Sequence, residues 1–205
     1  MTYTLYYSPG ACSISPHTAL REAGLPFELV RVDLGKKTYG DGASYLEVNP
    51  KGYVPALRIP DGRVITENLV MIQYIADQVP GKKLAPAPET GFERLRFAEL
   101  LVFISTELHK GLGPFYNPKA TDDFKAAIKE RLAKRFLYLG EQVGAKTYLL
   151  GDDFSVADGY AFYCLRGWKT VVKDPFPGSI LPSYYERLLA RPSIQAVLEA
   201  EKIQG

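Results

Sequence analysis

The chain has 205 residues, 46% of them hydrophobic and 23% charged, which is enough to bury one large core or two modest ones. Its 25 basic and 23 acidic residues leave a net charge of +2, so there is no electrostatic case for nucleic acid or an anionic membrane surface as a partner. Two cysteines far apart in sequence and two histidines argue against a disulfide framework and a structural zinc site, and no signal peptide or transmembrane run is visible, which fits a cytoplasmic protein with reduced thiols.

In chain order, residues 2–7 form a short β-rich run closed by the turn signal Pro9-Gly10. A helix follows to Ala23, with Ser13 as its cap, Pro16 in its first turn and Gly24 as its stop. Ser15 and His17 then fall on the helix surface or in packing. Phe27–Asp33 alternates apolar and polar residues, as a half-buried strand does. Residues 36–42 read as a polar loop and 45–48 as a short helix. Residues 54–59 and 63–65 flank Pro60-Asp61-Gly62, a hairpin signal. Apolar residues recur at helical spacing over 66–79. The order is βαβ, then ββα, a small α/β unit over residues 1–80.

Residues 81–91 lie in the run PGKKLAPAPETG and read as a linker. From 92 to 205 every pattern is helical. Residues 92–110 read as one long helix, followed by helices over 122–143, 155–172, 183–190 and 192–202. Ser155-Val156-Ala157-Asp158 is a capping box, with Ser155 as N-cap and Asp158 returning the bond, so both residues are assigned to helix initiation rather than to chemistry. Cys164 reads as a buried, apolar-like thiol.

The groups capable of chemistry concentrate in YYSPGACSISPH, residues 6–17, where a strand stops and a helix starts. Cys12 falls at the positive end of that helix, where a thiolate is favoured. Thr66-Glu67-Asn68 opens another helix, whose free N–H groups attract an anion. His109, near the end of the long helix, belongs to the residue type that titrates near neutrality.

Five stretches in this order carry a resemblance: YYSPGACSISPH (6–17), NPKGYVPAL (49–57), TENLVMIQYIAD (66–77), TELHKG (106–111) and GDDFSVADGYAF (151–162). Together they span nearly the whole chain, which resembles the cytosolic glutathione transferases of the bacterial beta class. The resemblance implies a thioredoxin-like N-terminal domain of βαβαββα order, followed by an all-α C-terminal domain holding the electrophile site and dimer contacts. It implies conjugation of the glutathione thiol to hydrophobic electrophiles in detoxification, with glutathione as substrate, no metal or other cofactor, and a C₂ homodimer.

The resemblance also implies roles. Cys12 and His109 would be catalytic, with Tyr7 and Ser13 as secondary hydroxyl donors. Val54, next to a cis Pro55, would pair with the cysteinyl part of glutathione, flanked by Ala11 and Tyr53. Glu67 would meet the α-ammonium, Asn68 the adjoining carboxylate, and Lys37 the glycyl carboxylate. Thr106, His109 and Lys110 would face the thiol across the domain cleft. Val102 stands where relatives often carry Asn, one polar group fewer near the site. Phe115, Tyr116 and Trp168 would line an apolar electrophile pocket; Trp168 sits one place beyond the family's tryptophan and fits a core role as well.

Two other readings fit the same residues. A glutathione-dependent thiol–disulfide oxidoreductase or peroxidase would use Cys12 through a mixed disulfide, although Ser15 stands where a Cys-x-x-Cys motif needs its second thiol. A non-catalytic ligand-binding module on the same scaffold would need none of these groups.

Overall fold

The computed structural model describes residues 2–205. Six strands form one mixed sheet in the order β4-β3-β2-β1-β5-β6. β1 (Tyr3–Tyr7) lies parallel to β2 (Phe27–Asp33), with Leu5 opposite Leu29, and antiparallel to β5 (Ala56–Arg58), with Leu5 opposite Leu57. β6 (Val64–Thr66) closes one edge. The polar loop expected over 36–42 folds instead into a ribbon, β3 (Thr38–Tyr39) and β4 (Ala43–Ser44), and the short helix expected after it is a single 3₁₀ turn, Tyr45–Glu47.

Side chains of β1 alternate between the faces of the sheet, as strand geometry requires. Leu5 enters the main core with Ile14, Leu20, Leu57, Met71 and Ile75. Tyr6 enters a smaller cluster with Val32, Tyr45, Val48, Val54 and Ala56.

The first helix, α1 (Ile14–Ala23), ends at Gly24, whose φ of 67° suits a residue without Cβ. It packs against α2 (Asn68–Asp77) on one side and against α6 (Val156–Gly167) and α8 (Pro192–Glu201) on the other. Burial on both sides decides one expectation and corrects another. Of the two places open to Ser15 and His17, both take packing and are buried. Ser13 does not cap: it is already αR, and its hydroxyl donates to the Ser8 carbonyl at 3.2 Å, closing the loop before the helix.

His17 is satisfied from outside α1. Arg21 Nε donates to His17 Nε2 at 3.1 Å, so Nδ1 carries the proton and donates to Glu201 Oε1 at 2.9 Å. Glu201 Oε2 accepts the Gly10 N–H at 3.0 Å. Arg191 grips Glu22 of α1 through two bonds of 2.9 Å. The last helix is thereby tied to α1 and to the loop holding Cys12.

The expected single long helix is longer and interrupted. α3 (Phe92–Phe103) passes into a π-helical turn, Ile104–His109, and continues as α4 (Lys110–Tyr116). α5 (Asp122–Val143) and α7 (Ile180–Leu189) complete the helical layer. Trp168 follows α6 in a second π turn; it is 1% exposed, its ring lies 5.0 Å from Phe136 and its Nε1–H donates to the Pro175 carbonyl at 3.1 Å. It fills the helical core and lines no electrophile pocket. No helix is long and apolar enough to cross a membrane.

The capping box at α6 is present and does more than start a helix. The buried Asp158 carboxylate accepts from the Ser155 N–H (2.8 Å), the Ser155 hydroxyl (2.6 Å), the Leu149 N–H (2.9 Å) and the Tyr184 hydroxyl (2.6 Å). It joins α6, α7 and the preceding loop. Asp158→Ala leaves these buried donors unpaired and is expected to cost about 3 kcal/mol of stability, on the scale of charge-assisted bonds. Urea unfolding measures this, and a change under ~1 kcal/mol would remove Asp158 from this role.

Candidate active site

Three chain segments converge at the end of the sheet. The loop between β1 and α1 brings Cys12, the turn before β5 brings Tyr53, Val54 and cis Pro55, and the β6–α2 junction brings Glu67 and Asn68. Across from them the π turn supplies Ser105 and His109, α4 supplies Lys110 and α6 supplies Tyr160. Together these groups, with Leu69, line a cleft of about 330 Å³. A wider depression of about 1060 Å³ lies along β2 and the β3–β4 ribbon, and its lining shares no residue with this cleft.

Cys12 keeps part of its surface in the cleft, and its thiol donates to the Val54 carbonyl at 3.5 Å. Desolvation pushes the thiol pKa up to about 12, and Lys110 and the local backbone offset only part of that rise. The sequence pointed to a thiolate at a helix N-terminus. The structure gives a thiol, because Cys12 lies before the first helical turn and is enclosed by protein on most sides.

Asn68 opens α2. Its side-chain N–H₂ donates to the Cys12 carbonyl at 2.9 Å and holds the cysteine loop in place. That leaves Oδ1 buried and without a partner. One of its two amide N–H groups is thereby spent inside the protein, which leaves the other for the expected carboxylate. The α2 backbone N–H groups are further donors for an anion there.

Glu67 takes φ 71° just ahead of α2, which turns its carboxylate outward. It accepts from the Tyr53 hydroxyl at 2.8 Å and pairs with Lys51. The Lys51 and Tyr53 bonds hold its carboxyl below the usual range. Both members of the ion pair are about half exposed, so the contact is weak and can be exchanged for a ligand's cation.

His109 is mostly enclosed. Its Nδ1 lies 2.8 Å from the Tyr160 hydroxyl, and its ring stands edge-to-face on Tyr160 and Tyr163, with centroids 5.7 and 4.9 Å away. Burial, then the Lys110 charge, lower its pKa to about 4, so the imidazole is neutral at pH 7. Burial raises the Tyr160 hydroxyl far above its ordinary value, so it keeps its proton. With the Tyr160 O–H donating to His109 Nδ1, the ring's Nε2–H is its free donor.

The remaining expected residues lie elsewhere. Tyr7 is buried in the core, its ring 6.5 Å from His17. Ala11 packs against the smaller cluster. Thr106 is exposed and bonds back to the Val102 carbonyl at 2.9 Å; the π turn places Ser105 in the cleft instead. Val102 itself is 49% exposed on α3 and does not line the cleft. Lys37 reaches the Gly52 carbonyl at 2.6 Å, beside Tyr53 but outside the cleft lining. Phe115 is partly buried against the core and Tyr116 is half exposed. Ser105, Tyr160 and Lys51 were missed by the sequence reading. A serine, a tyrosine and a lysine carry no local signal that would have marked them.

Residues 11–78 match the family model described as the glutathione S-transferase N-terminal domain, and residues 106–201 match that of the C-terminal domain. Glutathione S-transferase GstA of Escherichia coli O157:H7 is 40% identical over 98% of this chain and 99% of its own. Among solved structures, the ternary complex of BphK, a bacterial GST, is 49% identical with a TM-score of 0.91, covering 98% of this chain and 100% of that one. The beta-class glutathione S-transferase of Sphingomonas chungbukensis is 40% identical with a TM-score of 0.90 over the same shares.

Two measurements test the site's protonation states. At pH 7, iodoacetamide is expected to alkylate Cys12 no faster than an unperturbed cysteine; rapid alkylation would show a thiolate. The His109 imidazole is expected to stay neutral down to about pH 4 by NMR titration, with His17 assigned by substitution. Because the folded pKa lies below the unfolded one, the unfolded chain binds the extra proton first. Stability therefore falls as pH drops from 6.5 towards 4, and His109→Gln should remove that part of the fall.

Proposed function

The chain belongs to the glutathione S-transferase family and is a glutathione transferase, and on that premise we propose the roles of its residues. The carrying observation is the convergence of Cys12, Val54, Glu67 and His109 on one cleft. Val54 lies extended beside the cysteinyl part of glutathione and pairs with its backbone, as an added strand would. The ligand's α-ammonium displaces Lys51 from Glu67. Its neighbouring carboxylate takes the α2 backbone N–H groups, and Lys37 receives the glycyl carboxylate at the rim.

Glutathione's thiol proton leaves to solvent, since an imidazole of pKa about 4 is a poor base for it. What the site supplies is donors to the resulting thiolate: the Cys12 S–H, turned from the Val54 carbonyl, and the His109 Nε2–H, with Lys110 adding positive charge. The thiolate pair then forms the S–C bond to an electrophilic carbon, and a halide leaves when the acceptor is an aryl halide. Holding the two reactants together lowers the entropic part of the barrier. A mixed disulfide would need a Cys12 thiolate, which burial disfavours.

Residues 1–80 form the glutathione-binding domain, 81–91 the linker and 92–205 the domain that takes the electrophile. Phe92, Leu95 and Val102 leave apolar side chains exposed on α3, and Val70 does so on α2, a surface suited to a C₂ homodimer. The free cysteines fit a cytoplasmic enzyme.

With a nitroaryl halide, His109→Ala is expected to lower kcat/KM roughly tenfold to a hundredfold, as loss of one donor to a developing anion does. An unchanged rate removes His109 from the mechanism. Cys12→Ala should reduce conjugation without abolishing it, and mass spectrometry after exposure to glutathione disulfide should find little adduct on the unaltered protein. Abundant adduct would favour the redox reading.

A further inference from the structure

We propose that the acceptor site beside the sulfur position is built for an aromatic electrophile bearing a carboxylate, with Arg166 as the carboxylate's receptor. This names the substrate class of the conjugating site proposed above and rests on that reading.

With Trp168 drawn into the core, the groups next to the cleft are not the apolar set that the sequence suggested. Tyr163, itself buried, stands edge-to-face on His109, 4.9 Å between centroids, and so backs the histidine that lines the cleft. Tyr116, the half-exposed residue at the end of α4, turns its hydroxyl to α6: a Cβ added at Gly167 would stand 3.3 Å from it. A Cβ added at Gly10, two residues before Cys12, would stand 3.6 Å from Arg166 Nη1. Arg166 on α6 thus stands beside the loop that carries Cys12, and the Tyr116 hydroxyl approaches the next residue of the same helix.

Arg166 is half-buried and makes no ion pair among the described residues. Its Nε donates to the Gln204 carbonyl at 2.5 Å, which fixes the guanidinium and leaves both terminal amino groups without a hydrogen-bond partner among those residues. Glu201, the acid that meets the Gly10 N–H, has both oxygens engaged, by Gly10 and by His17. Lys110 is a second unpaired cation at the same opening, and Glu67, the cleft's acid, is already paired with Lys51. A fixed guanidinium with two free, parallel N–H groups matches a carboxylate. The half-exposed Tyr116 ring beside it offers a surface to an aryl group.

The test compares two electrophiles with the same leaving group, chlorodinitrobenzene and its ring-carboxylated analogue chlorodinitrobenzoate. Each kcat/KM is divided by the uncatalysed rate. The enzyme is expected to prefer the carboxylate, and Arg166→Gln to lower the carboxylate-to-neutral ratio about tenfold. Arg166→Lys should restore part of it, and raised salt should lower the carboxylate rate more than the neutral one. If the neutral compound is conjugated but the ratio is unchanged in Arg166→Gln, Arg166 only tethers the C-terminal residues and the proposal fails alone. If neither compound is conjugated, the conjugating reading falls and takes this one with it.

Discussion

The structure depends on a helix that has no solvent face. α1 is enclosed by the sheet and α2 on one side and by α6 and α8 on the other, so nearly every residue from Ile14 to Leu20 is buried. Such a helix must find partners for its polar groups in other parts of the chain. His17 finds Glu201 from the far end of the sequence, and Thr18 returns its hydroxyl to the Ile14 carbonyl at 2.8 Å. Glu201 also takes the Gly10 N–H, and Asn68 takes the Cys12 carbonyl. The loop that carries the thiol is therefore held from both of its ends by residues more than fifty positions away.

Enclosure also sets the chemistry. The same burial that fixes Cys12 and His109 removes water from them, and in both cases the neutral form wins. A thiol and a neutral imidazole are donors, not a nucleophile and a base. The thiolate is left to the ligand, and the protein supplies fixed hydrogen-bond donors and positive charge around it. The π turn at Ile104–His109 belongs to this arrangement. One extra residue in the turn brings Ser105, His109 and Lys110 to the cleft together, where the Tyr160 hydroxyl meets the histidine.

Much of this was legible beforehand. The turn at Pro9-Gly10, the stop at Gly24, the alternation of Phe27–Asp33 and the Ser155–Asp158 box are local devices, and local physics decides them. The five ordered stretches pointed to Cys12, Val54, Glu67 and His109, which do meet. The sequence by itself determined the element types, the two-layer plan and the identities of the groups at the cleft. Only the tertiary structure decided their states and directions: that Trp168 turns into the core, that Ser105 replaces Thr106, that Asn68 spends one donor on Cys12, and that the thiol keeps its proton. Each of these turns on desolvation or on a partner distant in sequence, and neither can be read from a residue's own neighbours in the chain.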